Sequence, residues 1–285
     1  MRRPVLVTGM PRSGTTWLAR TLAGAPGASL PGREPMNPRP GQFALGGTLD
    51  GWTELHDPTP KQVRILRRCY RGLEPRTYSR YGLSSLGALL PWRTTIVKDP
   101  FALLSVPAIV ACTGATPVIV YRHPGAVLAS YRRMGWTADT EEMRRLQGRE
   151  GGPPPVDDVD AMNEVWTFLH ERVLGWLPEV PGVILVSHSE VSRGGRAAIG
   201  QLARLCGLDA PRTPPPGDGA EPRGVAQEEA RAVPKGRLHS FDREPEEVVA
   251  GWRTRLSATE VERLEGATTP VWDSLESART PLDGP

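Results

Sequence analysis

The chain has 285 residues, of which 39% are hydrophobic and 24% charged, and a formal net charge of +3. A chain of this length can bury a sizeable core, and α/β folds of this size are often single domains. The small net charge gives no reason to expect nucleic acid, no run of 18 apolar residues offers a membrane span, and Cys69, Cys112 and Cys206 stand apart without the spacing of a disulfide framework or a zinc site.

The first element is legible within twenty residues. Val5 to Val7 form an apolar run suited to a buried parallel strand, and Leu18, Ala19 and Leu22 recur at helical spacing behind Thr15 and Thr16. Met1-Arg2-Arg3 leads directly into this strand and not into a signal-peptide core, so a cytoplasmic location is the simplest expectation. Between strand and helix, Gly9 to Thr16 has the spacing G-x-x-x-x-G-x-[ST], with Thr15 where a nucleotide triphosphatase carries lysine. Gly9 and Gly14 let the backbone turn sharply, and the free N–H groups of the new helix point into the loop, which makes it a cradle for an anion. A cation is still required beside a phosphate, and Arg12 within the loop can supply it.

Gly24 to Gly47 is rich in Gly and Pro with little periodicity, and reads as an ordered substrate loop or as disorder. Lys61 to Tyr70 reads as a helix with Val63, Leu66 and Tyr70 inward and Arg64, Arg67, Arg68 and Arg71 along its other side. That row would attract an anionic acceptor, but a solvated helix face is the preferred reading. Thr94 to Val97 is a second buried strand, ending at Lys98-Asp99-Pro100, where Asp99 is expected to be held by an ion pair with Lys98.

Val118 to Val120 are β-branched and apolar, Arg122 stands at the carboxyl end of that strand, and Pro124 suits a first helical residue. In open α/β sheets this edge is where ligands bind. Ser130 follows His123 by close to two helical turns, so a phosphate along that face could meet both Arg122 and Ser130. An arginine at a strand end is ordinarily a surface ion pair; beside the first loop, the phosphate-binding reading is preferred.

After the Gly151 to Pro155 break, Val159, Met162, Trp166, Leu169, Val173 and Trp176 mark a long amphipathic helix whose aromatics belong to the core. Val183 to Val186 is a further strand leading to Glu190, and Ala197 to Cys206 a helix. Residues 211–241 form a flexible or lid-like segment that opens with the Pro/Gly-rich Pro211 to Gly224. Glu260 to Leu264 and Trp272 fall in closing helices. Alternating strands and helices imply one α/β domain over residues 1–285, a parallel sheet flanked by helices, with the nucleotide-binding motifs in residues 1–135.

Two of these segments resemble a known family. Pro11-Arg12-Ser13-Gly14-Thr15-Thr16-Trp17 is similar to the 5′-phosphosulfate loop, P-[KR]-[SA]-G-[TS]-[TS]-[WF], of sulfotransferases that use 3′-phosphoadenosine 5′-phosphosulfate (PAPS). Val118-Ile119-Val120-Tyr121-Arg122-His123-Pro124, with Ser130 eight residues after the arginine, is similar to the family's 3′-phosphate segment. More faintly, Val233-Pro234-Lys235-Gly236-Arg237 and Gly251-Trp252-Arg253 resemble its R-K-G…G-x-W-K segment, with a longer insert and Pro234 in place of the first arginine. The resemblance implies a P-loop nucleotide-kinase-like sulfotransferase fold and transfer of a sulfuryl group from PAPS to a hydroxyl or amine of a small-molecule or carbohydrate acceptor, leaving 3′-phosphoadenosine 5′-phosphate (PAP).

It implies no metal, because cationic side chains take magnesium's place. Arg12, Ser13, Gly14, Thr15 and Thr16 would hold the 5′-phosphate and Arg122 and Ser130 the 3′-phosphate. Trp17 would stack on adenine or else pack its helix. Lys235 and Arg237 would touch the nucleotide or else form an exposed basic loop. For the general base, Glu34 resembles a glutamate that glycan-type sulfotransferases place after the loop and helix; Asp99, preceded by Lys98, is the competitor. The acceptor is expected in a cleft between Glu34, Trp52 and Trp136. His56, His170, His188 and His239 read as polar or packing residues, and His123 as structural. The oligomeric state is open, a homodimer included. The alternative is a P-loop kinase or triphosphatase, which requires Asp99 to hold magnesium and Arg12 to replace lysine.

Overall fold

A computed structural model describes residues 2–78, 82–149, 151–211 and 249–282. Five parallel strands form one sheet in the order β2-β3-β1-β4-β5: β1 Val5–Thr8, β2 Ala28–Ser29, β3 Thr94–Lys98, β4 Thr116–Tyr121 and β5 Ile184–Ser187. The register places Val5 beside Ile96 and Val7 beside Val118, while Val118 pairs with Ile184 across the next junction. Successive strand residues point to opposite faces. Leu6, Val97, Ile119, Tyr121 and Leu185 therefore enter one core, and Val5, Val7, Ile96, Val118, Val120 and Val186 enter the other. Both faces being buried, the strands read as continuous apolar runs.

Helices cover each face. α1 (Thr15–Ala23) and α7 (His188–Leu205) bring Leu18, Leu22 and Leu202 to the second core. The first core takes Leu66 of α2 (Pro60–Tyr70), Ile109 of α3 (Val106–Thr113), Leu128 of α4 (Pro124–Met134), Met143 of α5 (Thr140–Leu146), Trp166 of α6 (Asp158–Trp176) and Leu264 of α8 (Ala258–Ala278). Local chemistry fixes several helix starts. Thr59 and Gln62 form a capping box at α2, Ser257 and Glu260 another at α8, and Asp157 accepts from Val159 and Asp160 N–H at α6.

Two expectations change in detail, and a third resolves to its ordered reading. In α2 the inward residues include Ile65 and Cys69, whereas Val63 is only half-buried, because the apolar stripe is centred one position further round the helix. α7 begins at His188 and not near Ala197; it is two helices joined at Gly195 (φ 52°, ψ −131°), a left-handed residue that glycine tolerates. Gly24 to Gly47 is ordered: it contains β2, Gly32 forms a bridge to Tyr78, and Arg33 N–H donates to Thr77 C=O at 3.0 Å. The segment 212–248, including Lys235 and Arg237, lies outside the described residues.

Candidate active site

The loop between β1 and α1 sits at the carboxyl edge of the sheet. Gly9 is required by close approach, since a Cβ there would lie 2.1 Å from the Val120 carbonyl oxygen of the neighbouring strand. Gly14 (φ 96°) caps α1 in the left-handed region, and a Cβ on it would meet the His188 ring at 2.3 Å. Between the glycines, Arg12 has φ 72°, the only positive φ outside glycine among the described residues. Such a conformation costs about 1–3 kcal/mol and is kept where surrounding contacts over-determine it.

Those contacts join the two motifs. Arg12 Nε donates to Ser130 Oγ on α4 at 2.9 Å, and Arg122 Nη1 donates to the Arg12 carbonyl at 3.2 Å. Trp166 Nε1 of α6 donates to the Arg122 carbonyl at 3.0 Å, which fixes the strand end from the other side. Ser130 thus bonds Arg12, the loop cation, while Arg122 braces the loop backbone.

The electrostatics are those of an anion site. Burial lowers the Arg12 pKa, and nearby Arg133 adds to the effect. Arg122 is pushed down to about 10 by burial and then by Arg12, Arg133 and Arg255. All three neighbours are cations, so an anion entering here would be attracted by every charge that depresses Arg122. The buried hydroxyls of Thr8 and Ser13 have no hydrogen-bond partner, leaving donors at the loop for an incoming oxygen. Ser13 N–H closes a turn to the Met10 carbonyl at 3.0 Å, and the helix start at Thr15 and Thr16 directs its dipole at the same space.

Trp17 is half-buried, packed against the second core and tilted to His188 with ring centroids 6.2 Å apart. His188 itself was not expected here. It opens α7 directly after β5, is buried against Gly14 and Trp17, and is held well below the ordinary histidine pKa by burial and by Arg122. Its position at the carboxyl end of a strand, where ligands gather in such sheets, was the available signal.

The base candidates separate. Lys98 Nζ at the end of β3 donates to Glu34 Oε1, and Asn37 Nδ2 donates to Glu34 Oε2 at 3.0 Å. The expected Lys98–Asp99 ion pair is replaced by this Lys98–Glu34 pair, because consecutive residues of an extended chain point in opposite directions. Asp99 is fully buried and accepts from Met36 N–H at 2.5 Å and Phe101 N–H at 3.1 Å. Burial and the nearby Glu34 raise its pKa well above the usual carboxylate value.

A cavity of about 410 Å³ opens beside the loop, lined by Met10, Pro11, Trp52, Phe101, Tyr131 and Trp136 among others. Trp52 and Trp136 thus share a pocket as expected, whereas Glu34 is not in its wall. On the other side, Trp252 stacks on His123 at 4.4 Å and lies so close to Gly125 that a Cβ there would be 2.3 Å from its ring. With Arg255 acting on Arg122, the Gly251-Trp252-Arg253 segment sits against the second motif. Arg64, Arg67 and Arg68 of α2 and Arg71 just after it are exposed and line one groove together, and Arg67 and Arg71 line another with Arg2, Arg3 and Arg93 at the amino-terminal edge of the sheet, remote from the loop.

A sequence profile described as the Sulfotransferase family matches residues 4–211. The chain belongs to the sulfotransferase family. Its members are transferases, and the match spans the β1–α1 loop, the Arg122 to Ser130 segment, the Glu34–Lys98 pair and the residues lining the cavity. No curated protein matches the sequence. Among solved structures, the chain is similar in fold to the sulfotransferase domain from the curacin biosynthetic pathway (TM-score 0.51, 18% identity, 94% of this chain and 98% of that one). It is also similar to a sulfotransferase from Alicyclobacillus acidocaldarius (TM-score 0.54, 14% identity, 99% and 98%). At these identities the likeness establishes the parallel-sheet fold. Among the described residues, no helix is long and apolar enough to cross a membrane.

Proposed function

We propose that this sulfotransferase uses PAPS as its donor and transfers the sulfuryl group in line to a hydroxyl or amine of a small-molecule or carbohydrate acceptor. The observation that carries this reading is the joined cation site, in which Arg12 is bonded to Ser130 and Arg122 is set behind the loop among further cations. PAPS supplies an already activated sulfuryl group. The chain's part is to align it with the acceptor, to stabilise charge on the bridging oxygen and to take a proton.

Arg12, the N–H groups of Gly14 to Thr16 and the Ser13 hydroxyl hold the 5′-phosphate, where negative charge grows as the sulfur–oxygen bond breaks. Arg122 reads the 3′-phosphate, with Ser130 orienting Arg12, and Trp17 offers its open face to the adenine. Lys98 holds Glu34 at the carboxyl edge, where Glu34 takes the acceptor proton as the new oxygen–sulfur or nitrogen–sulfur bond forms.

The kinase alternative loses its metal ligand, since both oxygens of Asp99 are engaged by backbone N–H groups inside the core. Calorimetry with PAP and ATP in the presence of EDTA tests the donor. PAP is expected to bind without magnesium and much more tightly than ATP; tighter ATP binding that depends on magnesium overturns the reading.

A further inference from the structure

We infer that the acceptor is an uncharged compound whose hydroxyl is carried on a flat apolar ring; this rests on the sulfotransferase reading above and names the acceptor class of the same site. The cavity of about 410 Å³ lies within the size range of small-molecule pockets. It adjoins the chemistry directly, because Met10 and Pro11 of its wall precede Arg12 in the loop. Trp136 connects the two, with its ring centroid 5.8 Å from the Arg12 guanidinium carbon.

The wall is aromatic and aliphatic. Trp52 packs on Phe101 with centroids 5.1 Å apart, Trp136 meets Tyr131 edge-on at 5.7 Å, and Met143, Val165 and Leu169 add aliphatic lining. Trp136 keeps 46% of its surface exposed, an aromatic face left open at the cavity. The Trp52 backbone is fixed: its main-chain N–H donates to Glu142 Oε1 at 2.6 Å, and Arg145 Nη2 donates to the Trp52 carbonyl at 3.2 Å and to Glu142 at 2.9 Å. An aromatic lining with one side already held at its backbone gains ring contacts with less further ordering.

Polar partners are few. Among the described residues, Asp139 is the only charged side chain in the lining, and its carboxylate already caps α5 by accepting from Glu142 N–H at 3.0 Å. A pyranose buried here would leave several hydroxyls unsatisfied, each costing about 1–3 kcal/mol. A ring with one hydroxyl avoids that penalty. In the transfer, the hydroxyl oxygen bonds to sulfur, the bond from sulfur to the bridging oxygen of PAPS breaks with its electron pair leaving on the 5′-phosphate of PAP, and the hydroxyl proton passes to Glu34 through water, since Glu34 lies outside the cavity wall.

The test uses the full chain with PAPS and three acceptor probes, 2-naphthol, 4-nitrophenol and N-acetylglucosamine, after PAP binding has been measured by calorimetry. Sulfation of the phenols, with the sugar at least about tenfold poorer in kcat/KM, is expected. Trp136→Ala should raise the KM for 2-naphthol about tenfold while PAP affinity stays unchanged, and Trp136→Phe should restore most of it. PAP binding with sulfation of the sugar alone, or with no binding and no turnover of either phenol, overturns the acceptor class and leaves the donor reading standing. Loss of PAP binding in the unaltered protein overturns both.

Discussion

Arginines gather at both ends of the sheet, in two different settings. At the carboxyl end, Arg12 and Arg122 are recessed, bonded to Ser130 and to the loop backbone, and lowered in pKa by burial and by neighbouring cations, Arg133 for both and Arg12 for Arg122. At the amino end, Arg64, Arg67, Arg68 and Arg71 lie on the exposed side of α2. There Arg67 donates to the Cys112 carbonyl and Arg68 to the Leu73 carbonyl at 3.0 Å each, with Glu74 3.3 Å from Arg68. A charge held in place with little water around it acts on a ligand far more strongly than a solvated one. The difference teaches that the number of arginines does not locate the site; it is marked by arginines whose burial is otherwise unfavourable.

The largest effect should come from the group that moves the proton. Glu34→Gln keeps size and hydrogen bonding but removes the base, and should lower kcat by about 10²–10⁴ with PAP affinity nearly intact. Asp99→Asn is the control, since it leaves one of two buried N–H groups without its acceptor. It should lower stability by about 1–3 kcal/mol in denaturant titration while turnover persists. Loss of turnover in Asp99→Asn with wild-type rates in Glu34→Gln would move the base to the end of β3.

Arg12→Ala follows, with an expected loss of about 10²–10³ in kcat and little change in melting temperature, because the charge it meets grows only as the bond breaks. Arg122→Ala should act differently. The 3′-phosphate is unchanged during transfer, so the loss should appear as roughly ten- to hundredfold weaker PAP binding, the value of a charge-assisted hydrogen bond. If both substitutions change only melting temperature, the carboxyl end is no different from the amino end and the contrast collapses.

Much of this end was legible in sequence because its elements are local. The apolar runs of β1, β3, β4 and β5 and the strand-loop-helix order follow from nearest neighbours, as do the two motifs. What escaped depends on the third dimension. Two-residue β2 is too short for any period and exists by pairing Ala28 and Ser29 with Thr94 and Thr95. His188 has no motif around it, and its place against Gly14 is created by β5 lying beside β4. The Lys98–Glu34 pair spans 64 positions, although the alternation of an extended strand already argued against Lys98 and Asp99 facing one another.

The His123–Trp252 stack sharpens the comparison on the side of stability. Burial and Arg253 push His123 down to about 4 despite Glu265 at 3.7 Å, and its Nδ1 accepts from Gly125 N–H at 3.2 Å in the neutral form. A depressed folded-state pKa means that the unfolded chain binds the proton first. The stabilisation is therefore complete above pH 6.5 and drains as pH falls toward 4, at up to about 1.4 kcal/mol per pH unit for this one group. Buried His170 and His188 titrate in the same sense. His123→Gln should remove one proton's share of that slope in melts between pH 4 and 6.5; an unchanged slope would mean that the stack admits the protonated ring.

The smallest effect is expected at the other end. Arg64 on α2 and Arg71 at its C-cap are exposed and line its groove, and neither lines the cavity beside the loop. Exposed substitutions away from buried features usually shift stability by no more than about 0.5 kcal/mol. Charges this far from the reacting atoms are also largely screened beyond about 10 Å at ordinary salt. Arg64→Gln combined with Arg71→Gln should therefore leave kcat, the KM for PAPS and the KM for an uncharged phenol within about twofold of the starting values, measured at both low and 0.15 M salt. A tenfold loss confined to low salt would show that the amino-end arginines steer an anion toward the enzyme. In that event depth would not be what separates the two arginine groups, and the acceptor would have to carry negative charge.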